Sequence, residues 1–116
     1  MAENNCLFCR IIAGEIPGQI IHQDPVCVAV RDINPQAPSH FLIIPRAHLE
    51  SLNDVSARDE PMIGHLLRVA AKVANAEGLE APGYRTVINT GEGAGQSVFH
   101  LHVHVLGGRA LRWPPG

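Results

Sequence analysis

No stretch of this 116-residue chain approaches eighteen consecutive apolar residues, so it predicts no membrane-spanning helix. Its first ten residues, MAENNCLFCR, have neither the basic opening and long hydrophobic middle of a secretory leader nor a small-residue cleavage site. Lysine is almost missing. Lys72 is the only one among nine basic residues, the arginines are scattered, and the net charge is −2 with a pI near 6.4. That distribution offers no stripe for duplex nucleic acid and leaves room for a small phosphorylated ligand. Cysteine is sparse too: three in all, an odd number without a leader, which predicts reduced thiols and a cytoplasmic location. No internal repeat or low-complexity tract interrupts the chain.

What is present suits one domain over residues 1–116: a 46% hydrophobic fraction, and enough length to bury about two-thirds of the unfolded surface. NCLFCRIIA (5–13) has apolar positions at helical spacing and stops at Gly14, a short helix with a glycine at its end. QIIHQ (19–23) and VCVAVRD (26–32) read as strands around an Asp24-Pro25 turn, and HFLIIP (40–45) as a third. From Ser56, a candidate N-cap, Met62, Ile63, Leu66, Leu67, Ala70, Val73 and Ala74 recur at helical spacing until Gly78. YRTVIN (84–89) is a further strand, followed by the loop TGEGAGQS and the segment FHLHVHVLGG (99–108). Several antiparallel-compatible strands with one long helix inserted make an α+β fold.

His100, His102 and His104 occupy alternate positions in that last segment. On a strand they share one face, with Phe99, Leu101, Val103 and Val105 as an apolar row on the other. Histidines merely tolerated on a half-exposed strand would be the plain explanation for one of them; three in register after a glycine-rich loop ask for chemistry. A single shared metal ion fits poorly. Cα atoms four residues apart on a strand are about 13 Å apart, whereas nitrogens sharing one zinc lie about 3–4 Å from each other. A neutral imidazole attacking phosphorus fits better: one ring reacts, a hydrogen bond fixes its tautomer, and its neighbours hold the phosphoryl oxygens. The loop GEGAGQS adds backbone amides for an anion and Ser97 as a small donor.

GQSVFHLHVHVLGGR matches the histidine triad signature, in which three histidines alternate with apolar residues. CLFCRIIAGEIPGQIIHQD, DINPQAPSHFLIIPRAH, YRTVINTGEGAGQSVFHLHVHVLGGR and the ending WPPG resemble, in order and over nearly the whole chain, the Hint branch of that superfamily, the histidine triad nucleotide-binding proteins. The resemblance implies a HIT-like fold with an antiparallel sheet of about five strands, one long and one short helix, and a sheet extended across a homodimer. It implies an enzyme, a purine nucleoside phosphoramidase that hydrolyses substrates such as adenosine 5′-monophosphoramidate to the nucleoside monophosphate, an AMP-like product, through a nucleotidylated histidine. A dinucleoside polyphosphate hydrolase of the fragile-histidine-triad type is the rival within enzymes. A non-catalytic nucleotide-binding adaptor is the rival outside them.

Position by position, the resemblance makes His102 the nucleophile, His100 its support, His104 the phosphate contact, Ser97 the donor near the leaving group, and His40 a further support of the imidazole network. Gly95, Gln96, Ser97, His102, Val103 and His104 fall where relatives hold phosphate, Asn89 where a side chain meets the ligand, and Asp32 and Ile33 where ribose and base are held. From the residues alone, Asp32 could simply start a turn, Asn89 cap a strand and Ile33 belong to the core. No cofactor is implied for catalysis.

Cys6 and Cys9 form a CxxC. A thioredoxin-like redox pair would want a strand just upstream, for which five residues leave little room. Two small buried hydrophobes on the short helix are a second reading. Resemblance to zinc-holding relatives offers a third, a structural zinc on Cys6, Cys9, His48 and His100. Cys27 reads as strand core, and His22 and His65 as surface or packing residues. In the Hint branch the tail carrying Trp113, Pro114 and Pro115 packs near the site, often with the partner subunit, and the wide apolar face of the long helix is a candidate part of the interface.

Overall fold

Short β-branched segments punctuated by Pro and Gly build the sheet of the computed structural model, which describes residues 5–116; the reading of Met1–Asn4 as an ordinary polar start lies outside the described residues. Strands β1 (Ile20–Gln23), β2 (Cys27–Arg31), β3 (Ser39–Pro45), β4 (Tyr84–Val87) and β5 (Val103–Gly107) form one antiparallel sheet in the order β1-β2-β3-β5-β4. The α+β architecture is the one read from the sequence. No helix among the described residues is long and apolar enough to cross a membrane.

Both faces of the sheet are covered. Helix α2 (Glu60–Ala76) buries Leu66, Val69, Ala70, Val73 and Ala74 against Cys27, Ala29, Phe41, Ile43, Leu101, Val103 and Val105. Their 3.6-residue spacing forms one stripe, and each buried Val or Leu is worth about 1.5–3 kcal/mol. Ser56 caps a 3₁₀ turn (Ala57–Asp59) rather than the helix itself, which begins at Glu60 with Pro61 in its first turn. Arg31, at the end of β2, reaches Glu77 beyond α2 at 2.9 Å and ties the helix to the sheet.

On the opposite face, helix α1 (Leu7–Ile12) packs Phe8 and Cys9 on Val28, Val30, Leu42 and Ile44, the alternate residues of β2 and β3. Gly14, at φ 79°, ends α1 in the left-handed turn that glycine favours.

The histidine segment differs from its sequence reading. Only His104 lies within a strand, because β5 starts at Val103. The N–H of Leu101 goes to the carbonyl of Leu49 at 2.7 Å, in the loop after β3, instead of to a sheet ladder. Phe99, expected on the core face, is 46% exposed, and the buried row begins at Leu101. The fourth strand likewise ends at Val87, leaving Ile88 and Asn89 in the following loop.

Candidate functional site

His102 is buried, and its Nδ1 lies 2.7 Å from the carbonyl oxygen of His100. A carbonyl only accepts, so Nδ1 carries the proton and Nε2 presents its lone pair. The irregular path of residues 98–102 permits this, since it releases the His100 carbonyl from any ladder and turns it to a ring two positions on. Phe8 of α1 meets the His102 ring edge to face, with centroids 4.9 Å apart.

A second chain of hydrogen bonds orders His104. On β3, His40 pairs with Leu106, so it lies diagonally across from His104 on β5. The backbone N–H of Gln36 donates to His40 Nδ1 at 3.0 Å. That leaves the His40 proton on Nε2, which donates to His104 Nδ1 at 3.0 Å and sits 3.4 Å from Asp32 Oδ2. His104 Nδ1 therefore accepts, and its Nε2 is a donor. The rings of His102 and His104 are 4.9 Å apart, which sets a nucleophilic nitrogen beside an N–H donor.

Burial keeps this group uncharged near neutral pH. It pushes His104 down to about 4, aided by the neighbouring His102 and His40 and opposed by Asp32. His40 is lowered by burial against the pull of Asp32. His102 is also lowered by burial, with its bond to the His100 carbonyl working the other way.

In the glycine loop, Gly91 and Gly95 adopt φ of 84° and 95° around a 3₁₀ turn, Glu92–Ala94. Gln96 is 3% exposed and braces the loop: Oε1 accepts the Gly91 N–H at 2.8 Å, and Nε2 donates to the carbonyls of Glu50 at 2.6 Å and Val98 at 3.1 Å. The N–H groups of Gly95 and Gln96 bond to Glu92 and Gly91 carbonyls. These bonds occupy both amides and the Gln96 side chain in the ligand-free chain and hold the loop in shape. Ser97, next in the chain, is exposed.

Val103 follows in β5. Its side chain points into the α2 core, away from the histidines, so any ligand contact falls to its backbone. Asp32 Oδ1 accepts the Asn34 N–H at 2.8 Å, so it does open the turn, while Oδ2 faces His40. Ile33 is 97% exposed and is no core residue. Asn89 is half-buried. Trp113 is 81% exposed in this single chain.

Cys6, Cys9, His48 and His100 bring ligand atoms within 4.8 Å of one another. His100 Nε2 donates to the Pro45 carbonyl at 2.8 Å, so Nδ1 is a bare lone pair. It lies 3.4 Å from Cys6 Sγ, 3.5 Å from Cys9 Sγ and 3.1 Å from His48 Nδ1, while Cys9 Sγ is 3.3 Å from His48 Nδ1. Ligands of one tetrahedral zinc stand roughly 3.3–3.8 Å apart, so the set fits such an ion closely and could bind metal. Burial, with His48 and His102 nearby, pushes His100 down to about 4, leaving its nitrogen unprotonated for a metal.

The model of the HIT domain matches residues 13–111. The chain belongs to the HIT domain family. This HIT protein is 50% identical over 111 residues to the purine nucleoside phosphoramidase of Escherichia coli K12, covering 96% of this chain and 92% of that one. A crystal structure of a HIT family hydrolase from Legionella pneumophila Philadelphia 1 superposes with a TM-score of 0.95 at 51% identity, over 97% of this chain and all of that one. A zinc-bound histidine triad family protein from Mycobacterium smegmatis aligns with a TM-score of 0.81 at 34% identity, over 90% of this chain and 76% of that one.

Three contributors to the HIT site escaped the sequence reading: Phe8 against His102, the Gln36 N–H that orders His40, and the Pro45 carbonyl that anchors His100. Two of them act through backbone atoms, which any residue supplies. Phe8 had a legible signal, since helical spacing between Cys6 and Cys9 turns it inward.

Proposed function

We propose that this HIT protein is a hydrolase of purine nucleoside 5′-phosphoramidates, adenosine 5′-monophosphoramidate among them, acting through a nucleotidyl-histidine. The observation that carries the reading is the bond from His102 Nδ1 to the His100 carbonyl, which leaves Nε2 as a neutral, aimed nucleophile. The 50% identity to a purine nucleoside phosphoramidase over nearly the full length of both chains supports the substrate class.

His102 Nε2 attacks the α-phosphorus, and the bond from phosphorus to the leaving nitrogen breaks. That nitrogen takes a proton from the Ser97 hydroxyl, which is replenished from solvent. The ring of the intermediate is cationic, and the His100 carbonyl, already facing Nδ1–H, stabilises it. His104 Nε2–H donates to a non-bridging phosphoryl oxygen, held in that tautomer by His40 and Gln36. Water then attacks the phosphorus, the bond from phosphorus to His102 Nε2 breaks and returns its electron pair to the ring, one water proton passes to solvent and the other stays on the new phosphate hydroxyl. Asp32 and the exposed Ile33 hold ribose and base, Asn89 meets the ligand from the loop after β4, and Gly95 and Gln96 keep the phosphate loop in shape. The enzyme works as a homodimer whose tails bring Trp113 to the site.

Cys6, Cys9, His48 and His100 hold a structural zinc, which ties α1 to the base of the histidine segment and takes no part in the reaction. Three cysteines without a disulfide fit a reducing cytoplasm.

Turnover of adenosine 5′-monophosphoramidate and of a diadenosine polyphosphate by wild type and His102→Ala tests the reading. The phosphoramidate is the better substrate, and the variant loses at least about 10³-fold in kcat, as when a covalent nucleophile is removed from a concerted unit. Preference for the polyphosphate, or tight nucleotide binding with no turnover, contradicts it.

A further inference from the structure

His22, Cys27 and His65 lie in different elements and outside the triad site, yet all three converge on Asp24. That carboxylate opens the turn between β1 and β2. Its Oδ1 accepts the N–H groups of Val26 at 2.7 Å and Cys27 at 2.9 Å, which fixes its orientation and frees Oδ2. On Oδ2 meet His22 Nε2 at 2.8 Å from β1, His65 Nε2 at 2.8 Å from α2, and Cys27 Sγ at 3.6 Å from β2. One oxygen faces three potential metal ligands, and His22, Asp24 and Cys27 alone bring their ligand atoms within 4.8 Å of one another.

The backbone is built to allow this. In a regular strand Ile21 and His22 would face opposite sides of the sheet. The pairing of β1 with β2 shifts between Ile20 and His22, a bulge of the kind that re-aims a side chain. Ile21 packs into the α2-side core, and His22 turns to the same Asp24 oxygen as His65 of α2. The cluster opens on a cavity of about 320 Å³ lined by His22, Asp24, His65, Arg68, Val69 and Lys72, which gives an ion a way in. Arg68 and Lys72 are exposed, so solvent screens their charges.

We infer that His22, Asp24, Cys27 and His65 are the ligand set of a second metal site, taking a zinc-class divalent ion. Two imidazoles, a carboxylate and a thiolate suit such an ion, and the last two balance its charge. The observed spacings are those of hydrogen bonds. Loading the ion widens the nitrogen-to-oxygen separations by about half an ångström and draws in His65, which stands outside the 4.8 Å group of the other three, toward the spacing of a tetrahedral zinc. Each imidazole now donates from Nε2 to the carboxylate, so binding moves its proton to Nδ1, and the Cys27 thiol releases one proton to solvent.

Native mass spectrometry of the zinc-saturated full-length protein, compared with His22→Gln/His65→Gln, tests the inference. Wild type carries one ion per chain more than the variant, whose melting curve reports that it is folded, and Cys6→Ser/Cys9→Ser retains this ion. Imidazole nitrogen spectra of wild type supply a readout that needs no variant: zinc shifts the protons of His22 and His65 from Nε2 to Nδ1. Equal ion counts in wild type and the histidine variant, or unchanged Nε2–H tautomers at saturating zinc, overturn the inference and leave a hydrogen-bonded clamp between the β1–β2 turn and α2. Phosphoramidate turnover is the same in the histidine variant, so this result and that for the reaction are read separately.

Discussion

Seven histidines sit in this chain, and what separates them is the partner of each ring nitrogen. His102 gives its Nδ1 proton to a backbone carbonyl, His104 receives one from His40, and His100 is anchored at Pro45 so that its other nitrogen faces two sulfurs. Alternation along the sequence was enough to single out these three as candidates for chemistry. It could not assign tautomers, because those are set by the Gln36 amide and by two carbonyls that no side-chain pattern reports. Removing His40 therefore damages the reaction without touching substrate: His40→Ala lowers kcat by about 10–100-fold, a usual cost when a group that orients a reactive residue is lost. His40→Gln, whose amide can donate to His104 Nδ1, recovers much of that loss. Steady-state kinetics separate the outcomes, since a general packing defect would lower both variants alike.

At the scale of elements, strands and helices were legible wherever one residue pattern served one face. The stripe on α2 and the alternation of Phe41 and Ile43 with Leu42 and Ile44 on β3 are of this kind. The segment before β5 was misread as strand for a physical reason. Leu101 bonds to Leu49, and the chain bends to seat His100 between α1 and Pro45, a tertiary demand that local alternation does not reveal. Helix α1 is only six residues long, too short to be stable by itself, and its hold on the sheet runs through Phe8 and the Cys6, Cys9, His48, His100 group. With the proposed zinc on that group, chelation lowers Tm by at least about 5 °C. It also raises amide exchange in Leu7–Ile12 while β2 and β3 stay protected, and differential scanning calorimetry with hydrogen exchange measures both. An unchanged Tm and unchanged exchange would deny α1 a metal anchor.

For the whole molecule, burying neutral histidines makes stability depend on pH. His104 ordinarily titrates near 6.5, and burial holds it to about 4 in the folded chain. Between those values the unfolded chain binds a proton there that the folded chain does not, so stability rises with pH across the window and falls as acid is added. Urea midpoints decline from pH 7 toward pH 5, and His104→Asn shows a shallower decline. Conversely, the acid limb of the turnover profile falls at lower pH than for an exposed histidine, because burial lowers His102. In the proposed reaction, the fold's contribution is a buried, neutral, tautomer-fixed imidazole, His102, that takes the nucleotide. Rapid acid-free quenching during turnover of adenosine 5′-monophosphoramidate, followed by intact and peptide mass spectrometry, tests that claim most directly. One adenylyl group per chain on the peptide containing His102, appearing and decaying at rates that match turnover, is the predicted result. Turnover with no adduct, or an adduct that survives His102→Ala, would contradict it.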